Sequence, residues 1–292
     1  MSMPLPVVPW ALRVVWVVQP LAFVPLLSDA TGSVGRSGTL LIGITCWALW
    51  AIGLLASFVP STVALTAGRL IAPTSIAVVA VCALGPDVAV WSTALGAAAS
   101  ALAVLIWFSG ETGALFAQGS AYGDEQRFPL KAPVPYVVPM VVSWLVVAGS
   151  AVTGVVLVAN DVRLVGSALG ALGVAGSWFI APRFHLLSRR WLVIVPVGVV
   201  VHDPMLLMEN ALFRSNELSA LHLAPAATAA ADITGGTAGV AVEIVLGESV
   251  TIIKAARDHP TGVALHVLSV MVAPTRPGAA LRAAMGRGLP VG

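Results

Sequence analysis

Long apolar runs, cut by short polar punctuation, fill roughly the first two thirds of the chain, and shorter alternating runs fill the rest. A bilayer-spanning helix needs about 20 mostly apolar residues, because each adds about 1.5 Å against a core about 30 Å thick. Six runs meet this test: about Pro9 to Leu27, Thr39 to Val59, Leu65 to Leu84, Val88 to Phe108, Tyr136 to Ala159 and Leu164 to Ile180. The breaks have turn chemistry. Asp29 to Gly38 is polar and rich in Gly and Ser, and Pro60-Ser61-Thr62 ends one helix and offers an N-cap for the next. Gly85-Pro86-Asp87 is a tight turn, and Asn160-Asp161 closes the fifth run and caps the sixth. The one long loop, Ser109 to Pro135, carries Glu111, Asp124, Glu125, Arg127 and Lys131. The pattern predicts a transmembrane helical domain over residues 1–182.

After Pro182 the period changes. Trp191 to Pro196 and Val199 to His202 are β-branched segments joined at Val197-Gly198, the pattern of a hairpin. Met205 to Met208 and Leu218 to Leu223 are further short apolar pieces. Val240, Val242, Ile244 and Leu246 alternate with their neighbours, and Val250 to Lys254 follows across a Gly-Glu turn. Val263 to Val272 is another apolar run, and Thr275 to Gly286 reads as a helix with Pro277 in its first turn. Residues 183–292 are thus expected to form a small, β-rich domain ending in a helix.

Composition agrees with this division. Hydrophobic residues make up 58% of the chain and charged residues 10%, against about 25% charged in a soluble domain. That excludes a soluble enzyme and a disordered chain, and a net charge of +2 is too small a footprint for nucleic acid. The first run has only Arg13 as an early cation, no small-x-small cleavage site, and Pro20 and Pro25 within it, so it reads as a retained helix and not a signal peptide. With the N-terminus inside, Arg13, Arg69, Arg127, Lys131, Arg183, Arg189 and Arg190 fall on the cytoplasmic side and Arg36 and Arg163 outside. This bias predicts a multi-pass protein of a bacterial plasma membrane with both termini cytoplasmic. Thirteen arginines against two lysines suggest a GC-rich genome of the actinobacterial kind. Cys46 and Cys82 lie in apolar runs and read as free thiols.

The stretch Arg189-Arg190-Trp191 through Pro196, Gly198 and His202-Asp203-Pro204, together with Leu212-Phe213-Arg214, Ala231-Asp232-Ile233-Thr234, Gly239 to Glu243 and Pro274-Thr275-Arg276-Pro277-Gly278, resembles the cytosolic tail of a family of actinobacterial multi-pass membrane proteins. That tail is also similar to a bacterial pleckstrin-homology-like (PH-like) domain. The resemblance covers about the last third of the chain. It implies antiparallel strands closed by one helix, and a binding or assembly role without an activity of its own.

Charge inside a membrane helix is costly and often functional. Arg69, early in the third run, is followed by Pro73-Thr74-Ser75, whose hydroxyls are placed to satisfy carbonyls freed by the proline. The group reads as a small anion or headgroup site. Arg69 also reads as a side chain that snorkels to the interface and sets topology. Gln19, beside Pro20, raises the same question, and a transporter or permease for a small solute or lipid would place its site at Gln19, Arg69 and Thr74. No Asp, Glu, Lys or His falls mid-span, which argues against ion-coupled transport. Arg183, Arg189 and Arg190 follow the last span and are expected to meet anionic lipid or a partner. Gly166, Gly170, Gly173 and Ser177, and Gly96 with Ser100, are stripes for close helix packing. The five histidines lack metal-ligand spacing, and the loop carboxylates Glu111, Asp124 and Glu125 show no catalytic spacing. The expectation is a non-enzymatic binding or assembly protein with no metal and no cofactor. Its expected partners are membrane lipids and a larger membrane protein complex.

Overall fold

The computed structural model of the chain describes residues 7–256 and 258–292. Eight helices and eight strands follow in order: α1 (Val7–Ala30), α2 (Arg36–Phe58), α3 (Thr62–Cys82), α4 (Val90–Phe108), α5 (Gly110–Gln118), β1 (Gln126–Pro129), α6 (Val134–Ala159), α7 (Arg163–Ser188), β2 (Trp191–Val195), β3 (Gly198–His202), β4 (Ala211–Arg214), β5 (Leu218–Leu223), β6 (Ala231–Asp232), β7 (Val242–Ala256), β8 (His259–Val272) and α8 (Pro277–Gly286). The chain divides into two compact units. One runs to Gly113 and resumes over Met140–Phe184, and the other comprises Ala114–Pro139 and His185–Gly292. The expected boundary at residue 182 falls inside α7, because Pro182 does not end that helix. The larger departure is the long loop, most of which belongs with the tail.

In the first unit, α1, α2, α3, α4, α6 and α7 are each long and apolar enough to cross a membrane. Their outward faces carry large apolar side chains such as Leu21, Ile44, Leu55, Leu105 and Trp178, surface that water would not tolerate at this density. Small residues set the interior. Gly68 of α3 faces the Trp107 indole with no room for a methyl group, and Gly154 of α6 lies against the backbone of Gly166 and Gly170 of α7. The small-residue stripe of α7 therefore packs within the chain. Ser61 caps α3. The amide of Ala64 donates to Ser61 Oγ at 3.2 Å, and Asp161, at φ 62°, turns the chain between α6 and α7.

The second unit holds two four-stranded sheets, in the orders β1-β2-β3-β4 and β5-β7-β8-β6. The expected hairpin is present as β2 and β3, but its turn is Pro196-Val197, one residue earlier than expected, since Val195 pairs with Gly198. Val242, Ile244 and Leu246 are buried, but Val240, before the strand, is exposed and Ala241 and Glu243 are buried, so the expected alternation holds only in part. The Gly-Glu segment after them does not reverse the chain. β7 runs on to Ala256, and its pairing with β8 shifts register between Val245 and Val250. β1, from the interhelical loop, pairs antiparallel with β2 from Gln126 opposite Ile194 to Pro129 opposite Trp191. Leu192 and Ile194 point into the core with Val199, Phe213, Val242 and Val270. Trp191 and Val193, on the other face of β2, cover Ala117 of α5. Ala280 and Ala284, one turn apart on α8, complete the core.

Candidate functional site

The candidate site lies in the helical unit and starts from a proline. Pro20 has no N–H, so the carbonyl of Trp16, four residues earlier, loses its helical donor. The indole of Trp50 on α2 supplies one, donating to Trp16 O at 2.8 Å. The Trp16 indole returns the bond to Trp50 O, also at 2.8 Å. This reciprocal pair ties α1 to α2 and forms one wall of a pocket of about 90 Å³ that Gln19, Thr74 and Ser75 also line. Despite two internal prolines, α1 is one continuous helix.

A second cavity of about 790 Å³ is bordered by α1, α2, α3, α6 and α7. That size is typical of small-molecule sites. Leu27, Cys46, Leu49, Ile71, Thr74 and Val78 line both spaces, which makes them neighbours. Among the described residues, the lining of the larger cavity holds no Asp, Glu, Lys, Arg or His. Several of its polar groups donate to carbonyls of their own helix: Thr45 Oγ1 to Leu41 O at 2.8 Å, Thr74 Oγ1 to Leu70 O at 2.9 Å, Ser177 Oγ to Gly173 O at 2.8 Å. The Trp144 indole donates across the cavity wall to Leu70 O at 3.1 Å. The space therefore presents an uncharged and largely apolar surface. Cys46 and Cys82, both free thiols, belong to this lining.

Of the residues that the sequence singles out for transport, Gln19 and Thr74 meet at the small pocket and Arg69 lines neither space. Arg69 Nε donates to Trp107 O at 3.2 Å, and its guanidinium lies 5.5 Å from the Phe108 ring centroid. Arg13 does the same for α2, donating to Ser57 O at 3.4 Å with the Phe58 ring at 4.6 Å. Each arginine thus answers a free carbonyl in the last turn of a neighbouring helix, where a cation is favoured. The hydroxyls after Pro73 bond Leu70 O and Ala72 O, whereas the carbonyl that Pro73 frees is that of Arg69. Asp29, read as a turn residue, accepts from Ser92 Oγ at 2.8 Å and from the Ala89 amide at 3.3 Å, so α1 caps the start of α4. The sequence signal for the Trp16–Trp50 pair was Pro20 itself; nothing comparable marks Asp29.

The three tail arginines separate. Arg183 is exposed and lies over the Phe179 ring at 3.8 Å, and Arg189 is exposed. Arg190 corrects the expectation of lipid or partner contact: it is 1% exposed and forms a two-bond pair with Asp203, Nε to Oδ1 at 2.8 Å and Nη2 to Oδ2 at 2.6 Å. Its Nη1 donates to Lys131 O, and Asp203 Oδ1 also accepts the amides of Met205 and Leu206. The loop carboxylates are engaged too, Asp124 with Arg287 and Glu125 with Arg127. Among the described residues no cluster of three or more His, Cys, Asp or Glu is placed to hold a metal ion. Comparison of the chain with family models, with curated proteins and with solved structures finds no match.

Proposed function

We propose that the chain is a multi-pass protein of a bacterial plasma membrane that binds a neutral, lipid-like molecule within its helical unit and carries out no chemistry on it. The observation behind this reading is the cavity of about 790 Å³, lined among the described residues without a charged side chain. A site for a charged solute would need a counter-charge there. The β-rich unit serves as an assembly surface on the cytoplasmic side. Its two sheets and terminal helix support the PH-like reading, in which such domains bind and do not catalyse. The orientation has support of its own. β1 follows the fourth long helix and β2 the sixth, and their pairing requires both segments on one side, as two intervening crossings provide. On that side Arg183 and Arg189 offer exposed cations to anionic headgroups. A permease reading would use the same cavity with the adjoining small pocket, with Gln19 and Thr74 and without Arg69.

Native mass spectrometry of the full chain, extracted from its own host in mild detergent, tests the proposal. The expected spectrum shows one neutral lipid-like molecule per chain that survives activation sufficient to strip annular phospholipid. A spectrum with phospholipid adducts only, all lost together, overturns it.

A further inference from the structure

We infer that Gln19 is the polar anchor of that molecule, and that the molecule carries a carbonyl oxygen on a long apolar body. The inference rests on the binding role proposed above. Gln19 is 6% exposed, and its Nε2 has no hydrogen-bond partner among the described residues. A buried amide donor without an acceptor is strongly disfavoured, most of all inside a membrane, so its position calls for an oxygen from outside the chain. The neighbours do not supply one. The Trp16 and Trp50 carbonyls already receive each other's indole N–H. The Thr74 and Ser75 hydroxyls are turned to Leu70 O and Ala72 O.

The surroundings define the chemistry of the missing acceptor. The small pocket, at about 90 Å³, has room for a headgroup of a few heavy atoms and is walled by Trp16, Phe23, Trp47 and Trp50. It adjoins the larger apolar cavity through Cys46, Leu49, Ile71 and Thr74. Among the described residues neither lining contains a charged side chain, which disfavours a phosphate or carboxylate headgroup. An ester or ketone carbonyl satisfies the amide without bringing a donor of its own that would need a partner. The chain behind it lies in the larger cavity. Three waters, at about 30 Å³ each, would also fill the pocket, and that is the competing outcome.

Bromine quenches tryptophan fluorescence at contact range, and Trp144 lines the larger cavity, into which the brominated chain extends. The full chain in phosphatidylcholine nanodiscs is titrated with 9,10-dibromostearic acid methyl ester and, separately, with 9,10-dibromooctadecane, which has the same bromines and no oxygen. The ester is expected to reach half-quenching at an amount about tenfold lower than the alkane, the worth of one buried hydrogen bond. Gln19→Leu is expected to bring the ester to the alkane's level and leave the alkane unchanged, which also reports that the variant is folded. Equal, saturable quenching of the unaltered chain by both probes overturns the anchor and leaves the cavity reading standing. Quenching by neither probe beyond linear partitioning overturns both.

Discussion

Arg190 sits one residue before β2 and Asp203 one residue after β3, and the hairpin register makes them neighbours: Trp191 is opposite His202, so the next pair outward is Arg190 and Asp203. Both side chains are 1% exposed, so removing one leaves an uncompensated charge in the interior. Arg190→Ala is expected to destabilise the β-rich unit by about 3–5 kcal/mol, whereas exposed Arg189→Ala should change it by less than about 0.5 kcal/mol. Hydrogen exchange of the β2 and β3 amides in the full chain measures both. The pair was within reach of the sequence. A turn at Pro196-Val197 sets Arg190 against Asp203, while the expected turn at Val197-Gly198 moves the register and hides it. Counted by sequence position alone, Arg183, Arg189 and Arg190 look like one basic cluster. Burial is decided by the strand that follows Arg190, and a count of charges carries none of that.

At the scale of elements, the small-residue stripe of α7 was legible as a packing surface, but the asymmetry of its contact with α6 was not. A methyl group on Gly154 would lie 2.5 Å from the Gly170 amide nitrogen, whereas one on Gly170 would meet nothing within 4 Å. Gly154→Ala is therefore expected to cost about 1–3 kcal/mol by overpacking, while Gly170→Ala should be neutral or stabilising by up to about 1 kcal/mol through helix propensity. Thermal unfolding in detergent, followed by circular dichroism, separates the two. Two glycines on the facing helices of one contact are equivalent in a sequence, and only the direction of each missing side chain distinguishes them. β7 shows the same limit. Gly247-Glu248 has the composition of a turn, but an irregularity within a strand uses the same residues. The Gly247 amide donates to Glu217 O at 2.9 Å, which keeps the strand next to β5 and carries it past the irregularity.

For the whole molecule, six apolar helices and a β-rich end were legible because hydropathy and period are local properties. The role of the long loop was not, because β1 is only four residues long and its partner lies beyond two further helices. Leu130 and Lys131 extend the join: the Leu130 amide donates to Arg190 O at 3.0 Å and the Lys131 amide to Ala273 O at 2.8 Å. The six-span reading then makes a definite prediction for cysteine labelling in a background without Cys46 and Cys82. Tyr122→Cys and Ala227→Cys, both at exposed positions, should react with a membrane-impermeant maleimide only in inverted vesicles. Ser33→Cys, also exposed, should react only in intact cells. Opposite accessibility of the first two would contradict the β1–β2 pairing as well as the span count.

The borrowed strand also imposes an order on biosynthesis. Roughly sixty residues separate β1 from β2, so at about 5–20 residues per second the ribosome emits β1 several seconds before its partner exists. On the six-span reading, the segment waits during that interval with an unsatisfied edge while two more helices enter the bilayer. On that reading, a nascent chain that inserts only one helix of this last hairpin delivers β2 to the wrong compartment, and the sheet never closes. On the orientation proposed above, closure of the sheet in the cytoplasm is thus a record that neither helix of the hairpin has crossed alone.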